Sequence, residues 1–168
     1  MRIIVLRLKF KPKCSGELAS IISSSLLISH GIRRNVKLYV LFNEGYLYID
    51  GRNVRNLRPD YESMCGLVRA ALGGRTRYGI VYSQGEPNIV VDKLFVLSNK
   101  GLHLVDALLK CASRNSEVIG LTTLDIADKI NTNKVYYVYF DHGYKISHII
   151  TVFNYVLDVL RYGTWNGV

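Results

Sequence analysis

Runs of β-branched and apolar residues alternate with stretches of helical period along almost the whole chain. That alternation constrains the fold more than any other feature. Ile3 to Phe10 reads as a strand, stopped by Pro12, which cannot continue a ladder. Ser15 can cap a helix running to about His30, with Leu18, Ile21, Ile22 and Leu26 on one face and Gly31 as its terminator. Val36, Leu38, Val40 and Phe42 alternate as a strand; Asn43-Glu44-Gly45 turns, and Tyr46 to Ile49 returns. A second helix opens at Asp60, shows Tyr61, Met64, Cys65, Val68, Ala71 and Leu72 on one face, and ends at Gly73-Gly74.

The second half repeats the pattern. Tyr78 to Tyr82 is a short strand, residues 88–93 a helical turn, and Leu94 to Leu97 a strand stopped by Ser98-Asn99-Lys100-Gly101. Leu102 to Cys111 reads as a helix and Val118 to Leu121 as a strand, after which Thr122 and Asp125 form a capping-box pattern. Val135 to Phe140 is β-rich, Asp141-His142-Gly143 is a loop, and Ser147 caps a final helix with Ile149, Val152, Phe153, Val156 and Leu160 on its face. Strands alternating with helices from end to end predict a single α/β domain over residues 1–168 with a largely parallel sheet and helices on both faces. Ligands of such sheets sit beyond the carboxyl ends of strands, which points to residues 97–101, 120–123 and 139–145.

Composition narrows the partners. Lys+Arg 22 against Asp+Glu 13 leaves a formal charge of +9, which favours a polyanion because bound cations release its counterions. No run of apolar residues is long enough to span a membrane as a helix, and the start reads as a strand rather than a signal peptide. Cys14, Cys65 and Cys111 are scattered, without a Cys-x-x-Cys pair, so neither a disulfide scaffold nor a zinc finger is expected. A reducing, cytoplasmic setting is the expectation. His30, His103, His142 and His148 lack metal spacing.

The block Ile28-Ser29-His30-Gly31-Ile32-Arg33-Arg34-Asn35-Val36 resembles the archaeal tRNA pseudouridine-54 N1-methyltransferase family, a branch of the knotted SPOUT methyltransferases. Leu57-Arg58-Pro59-Asp60-Tyr61-Glu62, Leu97 with Asn99-Lys100-Gly101, and Ser147-His148-Ile149-Ile150-Thr151 continuing to Asp158 are similar in the same order. The resemblance covers roughly residues 15–160. It implies a SPOUT α/β fold with a C-terminal trefoil knot, S-adenosylmethionine as methyl donor, a tRNA substrate, and a homodimer with the active site at its interface. The implied donor-binding positions are Leu97, Gly120, Tyr139, Phe140, Asp141, His142, Gly143, Tyr144 and Ile149. This chain departs from the family in three places. Leu121-Thr122-Thr123 follows Gly120 where the family has Asp-His-x-Gly, Phe140-Asp141 replaces a Ser-Pro pair, and Ile149 replaces a Cys.

Methyl transfer from a sulfonium is an in-line displacement in which the protein mainly positions two reactants. The N1 proton of pseudouridine needs an acceptor, and Asp60 is the candidate base; the plainer alternative is a helix N-cap. Arg33 is assigned to catalysis and RNA contact on its motif position. Arg34, Arg52, Arg55 and Arg58 are candidate RNA contacts, because guanidinium forks suit phosphates; the alternative is a solvated basic surface, or for Arg34 an intersubunit ion pair. Tyr136, Tyr137, Tyr139 and Tyr144 suit either base stacking or, preferably, sheet packing. His148 is expected to point inward. Two readings follow: a tRNA (or ribosomal RNA) pseudouridine methyltransferase, or a SPOUT-like RNA-binding or assembly dimer that has lost donor binding.

Overall fold

The computed structural model describes residues 1–10, 12–29, 31–75, 79–112 and 117–163. In chain order the elements are β1 (Arg2–Arg7), α1 (Gly16–Leu26), β2 (Leu27–Ile28), β3 (Gly31–Ile32), β4 (Val36–Leu41), β5 (Gly45–Asp50), α2 (Tyr61–Leu72) and β6 (Ile80–Gln84). Then come β7 (Ile89–His103), α3 (Leu104–Cys111), β8 (Ile119–Thr123), a 3-10 helix (Leu124–Lys129), β9 (Ile130–Tyr139) and α4 (Ile146–Tyr162). Seven strands form one mixed sheet in the order β6-β5-β4-β1-β8-β7-β9. The pairs β4/β1, β1/β8, β8/β7 and β7/β9 are parallel, and β5 and β6 add antiparallel at one edge.

Local chemistry explains most boundaries. Ser15 accepts the Leu18 amide at 3.2 Å and Asp60 the Ser63 amide at 2.8 Å, so both helices begin where capping residues stand. Helix α1 ends four residues short of the expected His30, which itself lies outside the described residues. The Arg33 amide takes the Leu26 carbonyl at 2.7 Å, and its guanidinium takes that of Leu27 at 2.6 Å. With those acceptors used, the chain turns into the small β2–β3 hairpin, and Gly31 belongs to a strand rather than to a helix terminus.

The region 88–103 differs more. No helical turn forms, because Ile89-Val90-Val91 pairs with Ile130, Asn131 and Thr132. Ser98 to Gly101 does not end the strand either: Leu97 and Leu102 both face Val138, so the four residues between them bulge out of a strand that continues to His103. Thr122 opens no α-helix. It lies buried inside β8, its hydroxyl donating to the Val5 carbonyl at 2.9 Å, and only the 3-10 helix follows. Lys145, not Ser147, is the N-cap of α4.

The helices do not lie on both faces. Residues of α1, α2, α3 and α4 join one continuous core with Ile4, Leu6, Val36, Leu38, Leu121 and Val138. The opposite face holds a smaller cluster built on Ile3, Val5, Leu94 and Val96, covered by Ile126 of the 3-10 helix. The physical cause is the replacement of two expected helical segments, 88–93 and the stretch after Thr122, by strand and a single short 3-10 helix.

A polar network fastens α4 within the helical core. Arg2, 4% exposed, donates to the carbonyl and side-chain oxygens of Asn154 at 3.2 and 3.1 Å and pairs with Asp158. Asn154 in turn donates to the Ser24 and Ser25 carbonyls of α1. There is no disulfide scaffold among the described residues, but one cross-link that the scattered cysteines did not predict: Cys14 and Cys65 are joined, tying the segment before α1 to α2, while Cys111 is free. The cysteines had no sequence signal for this pairing; folding brings α1 and α2 side by side. The cue they gave for a reducing compartment is withdrawn with it.

Candidate active site

Leu97 sits in the sheet between Thr123 of β8 and Val138 of β9, so three parallel strands end together. Around their carboxyl ends lie the 98–101 bulge and the loop that leads from β9 into α4. The bulge is internally bonded, with the Ser98 hydroxyl donating to the Lys100 carbonyl at 2.8 Å and accepting its amide at 3.0 Å. Gly101 has φ 105°, and any Cβ there would overlap the Tyr137 carbonyl, so only glycine lets the bulge lie flat on β9.

Side chains from both strand ends meet here. His103 stacks on Phe140 with centroids 5.3 Å apart and meets the edge of Tyr139 at 5.4 Å. Phe140 meets Tyr144 at 5.3 Å, and Tyr144 meets His148 at 6.0 Å. The His103 Nε2 lies 3.9 Å from the Asp141 carboxylate. Phe140 is half-buried, whereas Tyr139, Asp141, His142, Gly143 and Tyr144 are exposed. Sequence reasoning missed His103; its signal was an apolar strand resuming after a glycine.

Other predicted positions fall elsewhere. Gly120 is not in a loop: it lies inside β8, paired with Ile3 and Leu94, and a Cβ there would come within 2.9 Å of the Leu94 side chain. Ile149 is half-buried against the main core. His148 is exposed on α4, not inward. Tyr136 packs on Phe95 at 5.2 Å, as sheet packing requires, while Tyr137 is exposed.

The arginines divide by environment. Arg33 is largely buried, with its Nε 3.3 Å from Asp158; burial lowers its pKa and the Asp158 carboxylate opposes that effect. Arg34 spreads one guanidinium nitrogen over the carbonyls of Gly51, Arg52 and Val54 at 3.0–3.2 Å, pinning that turn. Arg52, Arg55 and Arg58 are exposed, because Gly51, Val54 and Leu57 take every third, inward position of the same stretch. Asp60 is exposed, and the Ser63 amide, with Arg58 nearby, holds its carboxyl below the usual range. Helix α2 packs on β6, at the opposite edge of the sheet from β9, so one protomer does not unite Asp60 with the β7–β9 corner. Between the β2–β3 hairpin and α4 runs a groove of about 680 Å³, lined by Ile28, Arg33, Tyr155, Asp158 and Tyr162 among others.

The corner's chemistry fits an adenosyl group: flat aromatic walls, a half-buried leucine, and main-chain groups at three strand ends. Among the described residues, no helix is long and apolar enough to cross a membrane, and no three potential metal ligands cluster.

Comparison with known proteins identifies the family and the fold. A stretch of the tRNA (pseudouridine(54)-N(1))-methyltransferase of Halobacterium salinarum is 35% identical over 74 residues, 43% of this chain and 38% of that protein. The enzyme of the same name from Natronomonas pharaonis is 29% identical over 72 residues, 42% of this chain and 36% of that protein. The matched stretches therefore span less than two-fifths of either relative. The crystal structure of Archaeoglobus fulgidus Nep1 bound to S-adenosylhomocysteine superposes with a TM-score of 0.60 at 15% identity, over 92% of this chain and 76% of that one. Residues 13–142 match the family described as "Putative SAM-dependent RNA methyltransferase", and the chain belongs to that family.

Proposed function

We propose that this chain methylates N1 of a pseudouridine in tRNA, using S-adenosylmethionine bound at the β7–β9 corner. The observation that carries the reading is the register that sets Leu97 between Thr123 and Val138, with the bulge and the 139–145 loop around it. The two halobacterial relatives named for this reaction support the substrate. S-adenosylmethionine, when bound, supplies a methyl group already activated on a sulfonium.

In this reading Leu97, Tyr139, Phe140 and Tyr144 wall the adenosyl site, and main-chain groups of residues 139–144 orient it. The nucleotide's N1 lone pair forms the new bond to the methyl carbon as the carbon–sulfur bond breaks, and sulfur keeps that electron pair. The N1 proton passes to a carboxylate, for which Asp60 is the candidate, reaching the corner from a second protomer. Arg33 and Arg34 hold the backbone on which the RNA rests, and Arg52, Arg55 and Arg58 offer phosphate contacts. The homodimer forms through the groove beside α4, where Tyr155 and Tyr162 are exposed. A trefoil knot in the C-terminal half belongs to the same reading.

A second reading, an RNA-binding or assembly dimer without donor binding, is favoured by one observation: Gly120 is buried in the ladder rather than offered in a loop. Calorimetric titration with S-adenosylhomocysteine separates the two. Micromolar binding, with mass-spectrometric detection of methylated pseudouridine in incubated tRNA, supports the enzyme; absent binding with RNA affinity retained selects the second reading. Asp60→Asn is expected to slow single-turnover methylation strongly without unfolding the chain, and an unchanged rate removes the base assignment.

A further inference from the structure

The sheet face that carries no α-helix among the described residues is open over β4 and β5, and three tyrosines gather there. Tyr39 and Tyr48 are cross-strand partners with ring centroids 4.8 Å apart, and Tyr46 lies 6.1 Å from Tyr39. All three are half-buried, resting on the sheet with part of each ring uncovered. Alternation along the strands puts Lys37 and Arg7 on this same face. Lys37 pairs in register with Ile3 and Asp50, and Arg7 with Leu41, so the two cations stand at opposite ends of the tyrosine group. They are separated along the strands by about 13 Å at the usual rise per residue.

Two of the acids nearby have partners of their own. Asp50 accepts the Arg52 amide at 2.9 Å and the Asn53 side-chain amide at 3.0 Å. Glu86 pairs with Lys129. Among the described residues neither Lys37 nor Arg7 forms a salt bridge. Tyr48 packs on Tyr39 across the strands, so this is an aromatic surface with a cation at each end, Arg7 lying near Glu86. An open sheet of this kind stacks two or three unpaired bases in single-strand RNA readers, because every base has a π-face.

We propose that Tyr39, Tyr46 and Tyr48 form a stacking platform for unpaired nucleotides of single-stranded RNA, with Lys37 and Arg7 holding the flanking phosphates. The platform lies on the β4–β5 side of the sheet, away from the β7–β9 corner. It shares with the preceding reading only the class of ligand. It would hold an unpaired segment of the RNA while another part is presented to the corner.

The test is fluorescence anisotropy of a fluorescein-labelled oligouridylate with the full chain. Tyr39→Leu and Tyr48→Leu are each expected to weaken binding at least about fivefold, while Tyr39→Phe, which keeps the π-face, binds as the parent does. Lys37→Gln is expected to lower the slope of log affinity against log salt by about one. Leu variants that melt normally and bind as tightly as the parent overturn the platform. Leu variants that change the oligomeric state in light scattering and leave RNA affinity untouched overturn it too, because the face is then a protein interface. If a Leu variant does not fold, Lys37→Gln and Arg7→Gln decide: an unchanged affinity and salt slope in both rejects the proposal. Titration with S-adenosylhomocysteine should be the same in all variants. Absent donor binding in the parent, with oligouridylate binding still dependent on the tyrosines, defeats the methyltransferase reading and leaves the platform standing.

Discussion

The two faces of the sheet are made from the same strands and differ in what covers them. On one face, α1 to α4 close over a continuous core, with Phe95, Phe153, Leu38 and Ile22 fully enclosed and the Arg2–Asn154–Asp158 network inside it. On the other, a smaller cluster sits under the 3-10 helix, and beyond it the tyrosines of β4 and β5 meet solvent. The first face holds the fold together, and the second has polar and aromatic surface to spend on ligands. Alternation along a strand decides only that two faces exist; the lengths of the connecting elements decide which is closed.

Variants on the closed face should be the most damaging. Phe153→Ala empties the centre of the α4 packing and is expected to cost about 4 kcal/mol in urea unfolding, the usual range for a deleted core aromatic. A loss below about 1 kcal/mol would mean that the closed face is not the main store of stability. Asp158→Ala comes next, at about 3 kcal/mol, because it leaves the buried Arg2 guanidinium without its carboxylate. Arg2→Met combined with Asp158→Ala should recover part of that loss, and a double variant no better than the single one would show that the charge pair is not what is being broken.

Reducing the Cys14–Cys65 bond is expected to lower stability by roughly 2–4 kcal/mol, with the chain-entropy value for a closed loop spanning 51 residues at the top of that range. Thiol titration of the unfolded, unreduced chain should find one free cysteine, and three would remove the cross-link altogether. On the open face, Ile126→Ala should cost about 2 kcal/mol, less than Phe153→Ala, because it uncovers a smaller cluster. Equal losses would erase the contrast between the faces.

The smallest effect concerns pH. The Asp60 carboxyl is held below its unfolded value, chiefly by the Ser63 amide, so its contribution is complete above the unfolded pKa and fades as pH falls through the folded one. Asp60→Asn keeps an N-cap acceptor and should flatten that acid limb slightly. An unchanged acid limb in thermal melts would show that the cap contributes nothing through its charge.

Some residues announced their structure. Ser15 and Asp60 are capping residues followed by helical period, and both cap helices. Val36-Lys37-Leu38-Tyr39-Val40 alternates, and it is a strand with alternate residues buried. Other segments misled because their cues are local and the outcome was not. Ser98-Asn99-Lys100-Gly101 has every mark of a strand end, yet β9 supplies a partner on the far side and the strand resumes. Thr122 has capping chemistry, yet its hydroxyl found the Val5 carbonyl of a neighbouring strand. Of the candidate site, Leu97 and the 139–145 loop were legible from motif and topology, whereas His103 and the burial of Gly120 were not.

By itself, the sequence determined the number and type of most elements, the parallel core of the sheet, and the basic surface around residues 52–58, because period, capping and inward spacing are encoded within a few neighbouring residues. Tertiary structure alone decided that the helices share one face, that Cys14 meets Cys65, that Asp158 joins Arg2 to Arg33, and that three tyrosines stand together on an open sheet. Each of these is a meeting of residues distant along the chain, and such meetings depend on the packing of the whole sheet, which no local pattern carries.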